Sequence, residues 1–447
     1  MVGFLARHEW TLLNASAVVR LVMVVFAIAI LAATLLGVAR VARDRQTFDA
    51  FTARAAQHRA GPIAVRADVV GNEKGWLALV PPAPLAALAV GQSDVYPSYV
   101  KVTARNLDAL VTGDQVEHPL AVASGHLDVA FVALFLYPLL IFAVSFDLTA
   151  TERDRGTLRM VLAQPVRLHD VVAGKMIARW LLLAVPMVAL PALFVAWSIP
   201  LMAWTLAVLA YGLVWHGIAL IVNARGWAAP ANALVLAGIW LLLAIVGPAT
   251  VNLLIAVRYP MPSRVEAAVQ ARAATADATL QGSRQLGQFL QDHPTSANVG
   301  RDGLRQFALL QAARDSQIAD RLEWVEAAFD AQVQRQRRLA GWLSLVSPTM
   351  VAQEVLLEAS GTSATRFEHF RSAAGEFQRE WQNYFEPRIL DAATLSANEI
   401  ADAPVFAYTP QEASIVFARI APALTGMSIV GAVLLLTGFR AYQRYAL

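Results

Sequence analysis

The stretch TERDRGTLRMVLAQPV, residues 151–166, sets four charged side chains in a row, Glu152, Arg153, Asp154 and Arg155. Gly156 follows, then a short segment with apolar residues at helical spacing, then Pro165. Long apolar runs lie on both sides. A plain connection between two apolar helices needs neither the charges nor the glycine, so the stretch asks what its flanks are and which side of them it occupies.

The flanks are read from composition. Of 447 residues, 57% are hydrophobic and only 15% charged, where soluble domains are nearer a quarter charged. The apolar residues are clumped, which predicts an integral membrane protein. The net charge of +3 is small and dispersed, and no nucleic-acid partner is expected. Cysteine is absent, which excludes disulfides and thiolate chemistry but leaves the compartment open.

A bilayer core of about 30 Å takes about 20 apolar residues as a helix. Six segments qualify: residues 17–38, 127–147, 177–197, 200–222, 230–257 and 422–441. The third and fourth are divided at the turn-forming "WSIP", residues 197–200. Before the first span, residues 1–16 form an amphipathic run with Phe4, Leu5, Trp10, Leu12 and Leu13 as its apolar members. That pattern predicts an interfacial helix leading into a retained anchor rather than a cleaved signal.

Orientation follows from Lys and Arg beside the short loops. Residues 148–176 and the start of the next span hold Arg153, Arg155, Arg159, Arg167, Lys175 and Arg179. Arg225, Arg440, Arg444 and Arg7 fall on the same side when six spans are threaded. That side is expected to be the cytoplasm, with both termini and the tail, residues 442–447, on it. Residues 39–126 and 258–421 then lie outside, and about 250 residues suffice for a core of their own.

The larger outer segment reads as helical. Ser263 and Glu266 form a capping box. Ile318, Leu322, Val325, Phe329 and Val333 make a helical stripe, best read as packing between helices. Breaks fall at Ser347-Pro348 and Gly361-Thr362, before a further helical run, "RFEHFRSAAGEFQREWQNYF". The smaller segment has Pro81, Pro82, Pro84 and Pro97 and is no single helix. Its "SYVKVTA" alternates as a short strand does. The two segments are expected to pack together. The expected fold class is an all-α membrane protein: six transmembrane helices, an interfacial helix and a large, mainly helical extracytoplasmic domain.

Enzymatic motifs do not appear. There is no GxxxxGK[ST], no HExxH and no Gly-x-Ser-x-Gly, and the histidines have no metal-ligand spacing. Neither a catalytic site, a cofactor site nor a metal site is expected in this chain. Polar residues in the spans are few. His216 and Asn252 are the candidates for a substrate path; hydrogen bonding between helices is the competing reading for these and for Asn223 and Asn232.

The opening stretch then reads as a short helix on the cytoplasmic surface. Thr151 is placed to cap it, with Asp154 three residues on. Leu158, Val161 and Leu162 line one face, Arg155 and Arg159 another. Lipid anchoring favours a one-sided basic face. Here acids and bases are mixed, which favours a protein partner.

The stretch resembles the signature loop of ABC-2-type transporter permeases, E-R-x-x-G-T-L-x-x-x-L-x-x-P-V followed by a Gly-Lys into the next span. "HEWTLL" before the first span resembles the membrane-surface helix of that family. "PPAPLAALAVG" and "LVSPTMVAQEVLLEASGTSATRFEHF" resemble the subgroup with a large extracytoplasmic insertion, related to the permeases of nitrous-oxide-reductase maturation and gliding motility. The resemblance implies that Glu152, Arg153, Asp154, Arg155, Gly156, Thr157, Leu158 and Pro165 form a coupling helix docking on a separate, dimeric cytoplasmic ABC ATPase. ATP and Mg would be bound there and not here. It further implies a second permease, identical or homologous, residence in a bacterial inner membrane, and export of a hydrophobic or amphipathic substrate or movement of the outer domain against an extracytoplasmic partner. The alternative from another class is a non-transporting receptor or scaffold whose outer helical domain binds a ligand.

Overall fold

The computed structural model describes residues 1–59, 65–93, 96–105, 107–108, 127–260 and 331–443, with single positions 269, 273, 291 and 327 between. The capping box at Ser263 and the stripe from Ile318 to Phe329 lie outside the described residues.

The described chain is mostly helical, and six helices are long and apolar enough to cross a membrane. Helix α1 (Val2–Ala15) leads into α2 (Ala17–Arg59). The second span starts at Val129–Phe131, passes through a π-helical stretch, Val132–Leu136, and ends as α3 (Tyr137–Ser145). Two short helices follow, α4 (Ala150–Asp154) and α5 (Thr157–Leu162). Then come α6 (Leu168–Ala192) and α7 (Ile199–Asn223). The fifth span is α8 (Ala229–Trp240), a π-helical stretch Leu241–Val246, and α9 (Gly247–Arg258). After α10 (Pro348–Ser360), α11 (Ala364–Leu390) and α12 (Ala397–Ala401), the last span is α13 (Ala413–Gln443).

Boundaries differ from the hydropathy reading, three of them by nine residues or more. Helix α6 begins nine residues before residue 177, because Asp170, Lys175 and Arg179 belong to the helix; Lys175 and Arg179 are buried in ion pairs. Helix α2 continues through residue 59, long past its apolar run. Helix α13 starts at Ala413, where Arg419 pairs with Glu358 of α10. Charges depress hydropathy even when a partner neutralises them, so a hydropathy window cuts such helices short.

The spans pack around α7. Gly217 lies against Leu434, Gly431 against Leu213 and Gly438 against Leu220, so α7 and α13 approach closely along their length. Small residues allow that approach where apolar burial gives no drive between helices in lipid. Helix α2 contributes one stripe, Phe26, Ile30 and Ala33, and leaves Val24, Val25, Ile28 and Leu31 exposed. The breaks at Ser347-Pro348 and Gly361-Thr362 are the two ends of α10: Ser347 caps it, accepting from the Met350 N–H, and Gly361 closes it at φ 68°. Helix α10 descends between the spans. Tyr211, halfway along α7, donates to the Leu134 carbonyl (2.8 Å) and so accepts from Thr349 at the start of α10 (3.0 Å).

A second core departs from the all-α expectation. Strands β1 (Val65–Arg66) and β5 (Thr394–Leu395) pair antiparallel and join the two segments that flank the bundle. Strands β2 (Trp76–Leu79), β3 (Tyr99–Val102) and β4 (Leu107–Asp108) form an antiparallel sheet, with Trp76 opposite Val102 and Lys101 opposite Asp108. Strand β3 falls in "SYVKVTA". Helix α11 covers the sheet with Phe370, Ala374, Phe377, Trp381 and Phe385, a 4-3-4-4 stripe. Long-range pairing supplied these strands, which carry only two to four residues each and so leave little periodicity to read.

Candidate functional site

The loop between α3 and α6 is built differently from a single capped helix. Asp147, not Thr151, supplies the cap: its carboxylate accepts the Thr151 N–H at 2.8 Å. Gly156 then stands at φ 74° and divides the expected helix into α4 and α5. Only glycine takes that left-handed conformation without penalty. The turn is closed by Gly156 N–H to Arg153 O (3.0 Å) and by the Thr157 hydroxyl to Glu152 O (3.1 Å).

The charges divide into two sets. Glu152 and Arg153 face the bundle. Glu152 pairs with Lys175 at 2.7 Å, and the same ammonium donates to Leu148 O at 2.8 Å. Arg153 donates to Gly226 O and to Trp227 O (3.3 Å) in the turn between α7 and α8, and pairs with Asp154 at 3.1 Å. Arg155, Arg159 and Met160 face away from the spans, Met160 being 73% exposed, and Pro165 is exposed beyond them. Leu158 is buried under α5, with Val161 and Leu162 half-buried. The apolar stripe therefore points into the protein, and the face left outward carries Arg155, Arg159 and Met160 beside the exposed Asp154.

The loop rests on a polar layer between the span ends. Asn223 donates to Ser145 O (2.8 Å) and accepts from the Leu148 N–H (3.1 Å). Asn232 donates to Phe146 O (3.2 Å) and to Asn223 Oδ1 (3.3 Å). Thr149 meets the Tyr442 hydroxyl at 3.3 Å. These bonds join α3, α7, α8 and α13 at one level. Beside them α1 lies along α6, where Glu9 pairs with Arg179 at 2.7 Å with both side chains buried. On its other face α1 exposes Phe4, Trp10 and Leu12.

His216 and Asn252 are not brought together. His216 is buried and its Nδ1 meets Gly212 O at 2.8 Å. Asn252 is exposed midway along α9. Asn223 and Asn232 bond between helices, as the competing reading had it. What sequence reasoning missed is Asp147 as the cap, Lys175 as the partner of Glu152 and Glu9 as the partner of Arg179. Hydropathy alone draws Lys175 in the loop, residues 148–176, and Arg179 at the edge of the span. The available signal was their place inside an apolar helical run, where a charge needs a buried partner.

A family model described as "Domain of unknown function (DUF3526)" matches residues 264–409. No curated protein matches the chain. The matched region spans α10, α11 and α12 and strand β5; the loop, residues 146–167, lies outside it.

Proposed function

We propose that this chain is the membrane subunit of an ATP-driven transporter of the ABC-2 permease type, and that the α4–α5 loop receives the stroke of a separate cytoplasmic ATPase. The observation that carries the reading is the division of charge in the loop. Glu152 and Arg153 tie its base to α6 and to the α7–α8 turn, while Arg155, Arg159 and Met160 stand outward. A push on that outward face reaches at least two spans without first straining a flexible linker. Ligand-dependent work of this kind comes from the partner's nucleotide cycle, since a conformational shift requires differential binding between states.

On this reading the spans lie in a bacterial inner membrane with both termini cytoplasmic, α1 lies in the interface on its Phe4, Trp10 and Leu12 face, and the sheet-and-helix core is extracytoplasmic. A second permease completes the path, and the cargo is hydrophobic or amphipathic. The residues proposed to touch the ATPase are the outward Arg155, Arg159 and Met160, with Glu152 and Arg153 bracing from behind.

The test is co-purification of the chain from its native membrane. A Walker-containing ATPase is expected, and Arg155→Ala with Arg159→Ala is expected to release it while the chain still folds. Retention of the ATPase by that double variant sinks the docking assignment. A chain isolated with no ATPase at all returns the receptor reading.

A further inference from the structure

Two sequence motifs remain without a role in that reading, the proline-rich "PPAPLAALAVG" and the "SGTSATRF" turn after α10. The fold brings both to the walls of one cavity of about 470 Å³, whose third wall is the part of α2 beyond its apolar run. Arg366 links the two motifs, donating to Pro81 O (2.6 Å) and Gly361 O (3.0 Å). The volume is in the range of small-molecule sites.

The lining decides the chemistry. Pro81, Pro82 and Tyr96 face Phe48 and Phe51 of α2 and Phe367 of α11. Tyr96 and Phe367 stack at 4.3 Å, a flat aromatic wall. Arg40, Asp44 and Thr47 of α2 add polar groups, and so do Gln92, Ser98 and Arg366 on the facing walls. The level is equally informative. The apolar run of α2 ends at residue 38, and Gly37 packs directly on the Ala87 carbonyl. Leu85 and Leu88 belong to the same buried cluster as the spans. The cavity thus begins where the apolar part of the bundle ends, with aromatic walls and charges on the helix that emerges there. An amphiphile fits this order of surfaces, and a fully polar solute does not.

We propose that the cavity binds an acyl chain of a membrane phospholipid drawn from the outer leaflet. The inference rests on the membrane placement proposed above and names a ligand class for it. Arg366 holds the wall closed, and the polar residues of α2 face the head group.

The experiment uses the full chain in vesicles of phosphatidylethanolamine and phosphatidylglycerol. A trace of phosphatidylglycerol carries a diazirine near the end of one acyl chain. After illumination, adducts are mapped by mass spectrometry. Adducts within residues 79–99 and 361–370 are expected, and they saturate as the probe fraction rises. Adducts on exposed faces such as Leu241 and Leu242 rise in proportion instead. Thr47 is exposed and its hydroxyl bonds only locally, to Arg43 O. Thr47→Trp fills the cavity and is expected to lower the saturable adducts about tenfold. Thr52→Trp, on the same helix but off the cavity lining, leaves them unchanged. Adducts confined to the span faces overturn the proposal, as does a folded Thr47→Trp chain that keeps the saturable set. If Thr47→Trp fails to fold, saturation in the unmodified chain decides. Loss of ATPase binding is read separately, so a chain that retains lipid but recruits no ATPase overturns the transporter reading alone.

Discussion

The two ends of the helical bundle are held together by different physics. At the loop end, directional bonds do the work: Lys175 to Glu152 and Leu148 O, Arg153 to Gly226 O, Asn223 to Ser145 O. At the other end, the sheet and α11 are held by aromatic area, with Trp381 4.4 Å from Phe385 and 5.8 Å from Phe377 by ring centres. A hydrogen-bonded end has few alternative arrangements and transmits displacement. An aromatic core tolerates small sliding but loses much when a ring is removed. On the proposed reading, the difference suits a loop that passes displacement to the spans and a domain that persists without disulfides.

The comparison is open to attack at four points. The largest expected effect is Trp381→Ala, which removes a fully buried ring and its bond to Gly71 O, at about 4 kcal/mol. Limited proteolysis of the purified chain should show cleavage confined to the sheet-and-helix core. Equal loosening of residues 146–167 would show that the two ends are one unit.

Lys175→Met comes next, at about 2 kcal/mol, since it leaves Leu148 O without its donor where the lysine side chain is only 10% exposed and unpairs Glu152, which at 36% exposed keeps part of its hydration. A double-mutant cycle with Glu152→Gln, read by thermal unfolding, should recover much of the loss; additive losses would mean that the pair is not coupled.

Asn223→Leu should cost about 1 kcal/mol, because hydrogen bonds between helices in lipid are modest. It is measured in the same unfolding assay, and a loss as large as that of Lys175→Met would move the anchor of the loop to Asn223.

The smallest effect is a pH dependence. Glu399 accepts from the Ser396 N–H and from its hydroxyl, both at 2.8 Å, which holds its carboxyl below the ordinary 4.5. The stabilisation is complete above that ordinary value and is lost as pH falls through the lowered value of the folded state. The protection of residues 396–401 against hydrogen exchange, corrected for the intrinsic slowing of exchange in acid, should therefore fall as Glu399 is protonated, and Glu399→Gln should abolish that dependence. Exchange that keeps its pH response in the variant assigns it to another group.

Much of the bundle was legible because a membrane span is a one-dimensional property. Twenty apolar residues in a row announce themselves whatever they touch, and all six were found. Their ends were less legible: Lys175 looks like a loop charge and Arg179 like a charge at the span edge until Glu152 and Glu9 are seen beside them. The loop was half legible. Its mixed charges and its glycine marked it, but the sequence pattern suggested one helix capped by Thr151. Nothing local says that Asp147 caps it or that Gly156 turns left-handed. His216 and Asn252 show the limit most plainly, since composition made them alike and the fold buries one and exposes the other.

By itself the sequence determined that six helices are apolar enough to cross a bilayer, that one charged loop stands among them, and that the prolines from Pro81 to Pro97 and the Gly361-Thr362 pair break regular structure. Those follow from hydropathy, charge and proline or glycine stereochemistry, which act within a few residues. Only the tertiary structure decided which charges brace the loop and which face outward, that short strands distant in sequence join the two flanking segments, and that the two breaking motifs wall one cavity. Each of these depends on partners far apart in the chain, and the sequence states a residue's needs without stating which distant residue will meet them.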